Sequence, residues 1–103
     1  KNKLPKVLIV LLPDTHESLV GIIAGRVKER YNRPTIVFTE TEDGLVKGSG
    51  RSIEVYDMFH ELMACKDLME RFGGHKMAAG MTLHEKDLPE LEKRLNENCV
   101  LTE

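Results

Sequence analysis

The sequence predicts an α/β domain: a compact unit with a mixed β-sheet, built from a βαβ unit plus antiparallel strands, packed by about three to four helices. Three observations carry this reading. A continuous apolar run, "KVLIVLL" at residues 6–12, has the length of a strand and no alternation, as expected of a strand covered on both faces. A segment with apolar residues at three- and four-residue spacing follows, and then a second β-branched run, "TIVFTE". Strand, helix and strand within about 35 residues make a unit with parallel strands.

The elements follow in order. Pro13 ends the first strand, and Asp14 with Glu17 three residues later reads as the aspartate form of a capping box. In the helix that follows, Leu19, Val20, Ile22, Ile23, Val27 and Tyr31 recur on one side, and Arg26, Lys28, Glu29 and Arg30 hold the other. Gly21 and Gly25 each cost that helix about 1 kcal/mol relative to alanine, which close packing on a sheet would explain. After the Asn32-Arg33-Pro34 break and the second strand, "EDG" at 42–44 is a tight-turn signal. "LVKGSGRSI" then returns antiparallel as a glycine-interrupted third strand. From Tyr56 the period changes back. Met58, Leu62, Cys65, Met69 and Phe72 mark one face of a helix, or of two helices broken near Lys66, which Gly73 and Gly74 stop. "KMAAGMTL" reads as a short strand, and Asp87 with Glu90 caps a last helix that buries Leu88, Leu91, Leu95 and Cys99.

At 103 residues the chain is expected to form one domain, residues 1–103, able to fold without covalent staples. Cys65 and Cys99 lie too far apart for a CxxC pair or a zinc knuckle and read as reduced thiols, which fits a cytoplasmic protein. The longest apolar run is far too short for a membrane helix. A net charge of −2 excludes a strongly basic nucleic-acid binder, but its distribution is uneven. Residues 44–53 carry Lys47 and Arg51 without an acid, and residues 71–84 carry Arg71, Lys76 and two histidines without an acid. If these stretches meet, they form a positive patch on a mildly acidic body.

Two segments are chemically suggestive. "GSGRS" at 48–52 lacks the spacing of a P-loop, yet its hydroxyls and arginine fork are able to cradle an anion; a β-bulge with a solvated arginine is the plainer alternative. "GGHKMAAG" at 73–80 reads either as a helix stop or as a binding loop. In the second case Gly73 and Gly74 admit a ligand to main-chain donors, His75 donates to a phosphate oxygen, Lys76 adds charge, and Ala78 to Gly80 leave room for a sugar or a strand. His16 sits at the opening of a βα loop, the usual ligand edge of α/β sheets, although a capped helix start with an exposed histidine is the favoured reading. His60 and His84 have no evident partner and read as surface residues, the methionines fill the core, and no aromatic platform for stacking bases is evident. No nucleophile constellation, zinc helix or aspartate cluster for paired metals is found.

Taken together, "HESLVGIIAGRVKERYNRPTIVF", "GLVKGSGRSI" and "YDMFHELMACKDLMERFGGHKMAAG" resemble the DHH-associated domain of the RecJ family of single-stranded-DNA-specific exonucleases, from about Val7 to Leu95. The "GGHKMAAG" block alone would admit the wider DHH superfamily, including small-oligonucleotide phosphodiesterases, and the related domain that ends alanyl-tRNA synthetases. The chain departs from the common pattern at Thr15, Ser18 and Val55.

The resemblance implies a parent enzyme that degrades single strands 5′ to 3′ in repair and recombination. Its DHH domain, elsewhere in the same chain, holds Mn²⁺ or Mg²⁺, while the present domain closes over the strand. By matching positions, His16, Ser49, Arg51, Ser52, Gly74 and His75 are implied to contact the DNA phosphate backbone, with Lys47, Gly73 and Lys76 beside them. His75 and Arg51 would support the scissile phosphate, and none of these residues would hold metal. The segment alone is expected to bind weakly and to be catalytically inert. A module for short oligonucleotides or dinucleotides, and a purely structural interaction domain, are the alternative functions.

Overall fold

The computed structural model describes residues 5–99. Strand β1 (Leu8–Leu11), helix α1 (Glu17–Tyr31) and strand β2 (Thr35–Glu40) form the expected unit, and β1 pairs with β2 in parallel. β3 (Leu45–Arg51) returns antiparallel to β2 through a turn in which Asp43 and Gly44 both have positive φ, 59° and 74°. That is the mirror-image geometry which matches strand twist and which an Asp-Gly pair favours. Helix α2 (Met58–Met63) and a 3₁₀ turn (Lys66–Leu68) lead into a hairpin of β4 (Met69–His75) and β5 (Ala78–His84). A second 3₁₀ turn (Glu85–Asp87) precedes helix α3 (Leu88–Glu97). The strands lie in the order β1-β2-β3-β5-β4, all neighbours antiparallel except the first pair.

Side chains alternate across the sheet, so its two faces have different contents. One face carries Ile36, Phe38, Val46, Ala79, Met81 and Leu83 and is covered by α2 and α3 through Met58, Leu62, Leu91 and Leu95. Phe72 of β4 joins this side, stacked 5.2 Å from Phe59. The other face is covered only in part: α1 packs Val20 and Ala24 on Val37 of β2, with Val10, Leu12 and Ile23 around them. α1 also touches β3, but the same face of β5 and β4 is left open. Cys65 is buried, where loss of solvation pushes its thiol pKa up, and Cys99 is half-buried; both are free thiols.

Three sequence expectations need correction. Residues 69–75 are a strand and not the end of a helix, so Gly73 and Gly74 lie within β4 and stop nothing. A β-bulge between Met69 and Arg71 explains the misreading: Met69 pairs with Leu83 and Phe72 with Met81. Three residues on β4 thus span two on β5, and the core-facing pair acquires a helix-like spacing. The β-bulge offered as the plainer alternative for "GSGRS" is not formed, because residues 48–51 lie in β3, which pairs without interruption on both sides. Finally, the cap of α1 is His16, whose Nδ1 accepts the Ser18 N–H at 3.1 Å; Asp14 lies outside the first turn. The cap at Asp87 forms without a side-chain hydrogen bond.

Candidate nucleic-acid interface

Register brings the two suggestive segments together. Arg51 pairs with Ala78, and Ala78 with His75; Ser49 pairs with Gly80, and Gly80 with Gly73; Lys47 pairs with Thr82, and Thr82 with Arg71. Paired residues point to the same side, so all nine lie on the face that α1 leaves partly open. Arg51 and His75 are two strand spacings apart, roughly 10 Å between backbones. Between them the sheet is nearly bare. Gly73 and Gly80 are exposed, a Cβ at Gly73 would meet nothing within 4 Å, and one at Gly80 would come no closer than 3.9 Å to the Gly48 carbonyl oxygen. The result is a shallow trough with a glycine floor, α1 as one wall, and the edge strand β4 as the other.

Arg51 is held in place on the wall side. Its Nη1 donates to Ser49 Oγ at 2.9 Å and to the Gly50 carbonyl at 2.8 Å. Nη2 lies over α1 at Gly21, where an added Cβ would sit 2.7 Å from it. The glycine in the helix is therefore explained by the guanidinium it accommodates. Gly25 has no such neighbour, since a Cβ there would meet nothing within 4 Å. Nε and Nη2 keep donors without a hydrogen-bond partner among the described residues, a fork suited to phosphate oxygens.

On the far side, His75 is exposed and its Nδ1 accepts the Met77 N–H at 3.4 Å, which assigns the neutral ring's hydrogen to Nε2. The ring thus keeps Nε2–H as a donor on an exposed side chain of the open face. Arg71 is exposed and makes no ion pair among the described residues. A helical reading of this stretch hides Arg71, and its place in the trough is a finding of the structure. Thr82 was missed too, although the alternation of Ala78, Gly80 and Thr82 was a usable signal.

The remaining candidates are arranged differently. Lys47 lies on the open face but its Nζ is 2.6 Å from Glu17 Oε1, an ion pair that holds the Glu17 carboxyl below the usual range. Lys76 sits exposed in the β4–β5 turn. Gly74 faces the packed side with φ 146°, and a Cβ would stand 2.4 Å from the Ala78 carbonyl oxygen, so it serves the hairpin itself. Ser52 is 1% exposed and donates its hydroxyl to the Tyr56 carbonyl at 2.7 Å; it is a structural residue and does not reach the trough.

His16 caps the N-terminus of α1, next to the Glu17 that pairs with Lys47. It lines a cleft of about 360 Å³ with Glu17, Glu40 and Glu42, and its Nδ1 is engaged as the cap. That end is acidic. Glu40 is raised above the usual carboxylate range by the charge and hydrogen bond of Glu85, with Asp14 adding to it. The domain is therefore electrically polar, with cations around the trough and carboxylates at the turn end. No group of three or more His, Cys, Asp or Glu able to hold a metal ion occurs among the described residues.

Comparisons with known proteins agree with this architecture. The DHHA1 domain family matches residues 4–100. The single-stranded-DNA-specific exonuclease RecJ of Bacillus subtilis (strain 168) is 44% identical over 91 residues, 87% of this chain and 12% of that protein. The crystal structure of RecJ in complex with Mg²⁺ from Thermus thermophilus superposes with a TM-score of 0.81 at 32% identity, over 90% of this chain and 14% of the other. The C-Ala domain of Aquifex aeolicus alanyl-tRNA synthetase superposes with a TM-score of 0.68 at 14% identity, over 88% of this chain and 87% of the other, a likeness of fold alone. The chain thus spans 12% to 14% of the two RecJ proteins. It belongs to the DHHA1 domain family.

Proposed function

We propose that the open face of β3, β5 and β4 grips the phosphate backbone of single-stranded DNA, and that the domain is the substrate-binding part of a RecJ-like 5′ to 3′ exonuclease. The observation that carries this reading is the Arg51–Ala78–His75 row beside the bare glycines Gly73 and Gly80. Backbone spacing lets adjacent phosphates meet Arg51 and His75 while the sugar lies on the floor. Ser49 braces Arg51, Arg71 and Lys76 extend the positive field, and Lys47 is held in reserve by Glu17. His75 and Arg51 are also the groups able to support charge on a scissile phosphate. His16, which caps α1 next to the Glu17 that pairs with Lys47, contacts the strand only if the strand continues past the Lys47 end of the trough.

The relatives named as single-stranded-DNA-specific exonucleases and the RecJ structures described with Mg²⁺ and Mn²⁺ support this assignment. The metals belong, in this reading, to a DHH domain elsewhere in a longer chain, and the segment alone does not cut DNA. A cytoplasmic site of action fits the free thiols, and no helix among the described residues is long and apolar enough to cross a membrane.

Binding of a 5′-phosphorylated single strand, followed by fluorescence anisotropy, tests the reading. Arg51→Ala and His75→Ala should each weaken binding and flatten the plot of log affinity against log salt by about 0.7 per lost contact. Unchanged affinity in both variants would leave a structural interaction domain as the better description. Degradation of labelled strand by the pure domain with Mn²⁺ would defeat the claim that it is inert alone.

A further inference from the structure

Next in the chain after Arg51, a cleft of about 480 Å³ lies between the C-terminal end of α1 and the chain that joins β3 to α2. Ile53 and Met77, both half-buried, supply its apolar floor, while Lys28, Asn32, Glu29 and Glu54 stand around the rim. The cleft and the trough share a wall: the Met77 N–H is held by His75 Nδ1 at 3.4 Å, and the Met77 carbonyl accepts the Ser52 N–H at 2.8 Å, next to Arg51. Ser52 and Met77, which line the cleft, thus neighbour Arg51 and His75 directly.

The chemistry of the rim selects among ligands. Two exposed carboxylates disfavour a second phosphate there, and they accept hydrogen bonds from amino groups. The thioether and the branched alkyl chain offer a polarisable surface to a flat ring. The Asn32 amide adds a donor and an acceptor at the same level, on a residue fixed by its left-handed conformation at φ 52°.

We propose that this cleft is a nucleobase subsite that favours the amino-bearing bases, cytosine, adenine and guanine, over thymine. It rests on the phosphate-gripping reading, because the phosphate on Arg51 brings the attached base to the cleft. It also goes beyond that reading, since a backbone grip alone has no base preference.

The test uses the ¹⁵N-labelled chain titrated with 5′-phosphorylated dC, dA and dT oligonucleotides of equal length. The amides of Asn32, Ile53 and Glu54 report the cleft, and those of Ser49, Gly73 and Gly80 report the trough. The expected result is a shift of the cleft amides with dC and dA and about fivefold tighter binding than with dT. The double variant Glu29→Gln, Glu54→Gln, at two exposed positions, should abolish that difference while keeping the trough shifts. Trough shifts without cleft shifts, or equal binding of dC, dA and dT, would overturn the subsite and leave the phosphate grip standing. Silence at the trough with cleft shifts would sink the phosphate grip and, with it, a subsite supplied from Arg51. Silence at both would overturn both.

Discussion

Gly48 and Gly50 of β3 and Gly73 and Gly80 of the neighbouring hairpin are the same residue on opposite faces of one sheet. At Gly48 a Cβ would fall 2.4 Å from the Phe38 ring, and at Gly50 it would fall 2.6 Å from Met58 Sδ. These two are vacant so that the core is able to fill them. Gly73 and Gly80 border no side chain within 4 Å, and the space above them is open. The lesson is that a glycine-rich strand carries two different messages, and only register tells them apart.

The largest expected effects break the packed side. Gly74→Ala combines a positive φ with a collision against backbone and should cost about 3 kcal/mol, seen as a fall in the midpoint of urea unfolding. Gly48→Ala should cost about 2 kcal/mol, because the fully buried Phe38 ring has nowhere to retreat. A loss below about 0.5 kcal/mol in both would mean that the core yields where it is described as full.

On the open side the pattern reverses. Gly80→Val should leave unfolding within about 0.5 kcal/mol of the parent, yet weaken single-strand binding about tenfold by roughening the floor. Wild-type affinity in that variant would show that the strand lies elsewhere. The smallest effect sharpens the contrast: Glu17→Gln releases Lys47 and should raise affinity about two- to threefold, with a salt slope steeper by about 0.7. An unchanged slope would mean that Lys47 never meets a phosphate.

Much of this was legible beforehand. Hydrophobic runs and β-branched residues announced β1 and β2, and the Asp43-Gly44 pair announced their return strand, because each signal is local. The acid-free stretches around Arg51 and His75 were correctly seen as candidates to meet, and pairing through β5 is what joins them. β4 was illegible because its bulge gave Met69 and Phe72 the spacing of a helix, and with it went Arg71. Ser52 could not be separated from Ser49 by composition. Alternation along β3 would have done so, placing Ser49 with Arg51 on the open side and Ser52 inside.

The tip of the β4–β5 hairpin is tied down at several points: Met58 N–H to the Lys76 carbonyl at 3.0 Å, Ser52 N–H to the Met77 carbonyl at 2.8 Å, and His75 to Met77. Met58 is also the side chain that fills the gap above Gly50. If a strand is drawn along the trough as proposed, a pull on His75 is accordingly passed to the start of α2 and to the middle of the sheet. The tip behaves as a braced anchor and not as a hinge, so traction on the polymer loads the interior of the domain before it bends the loop.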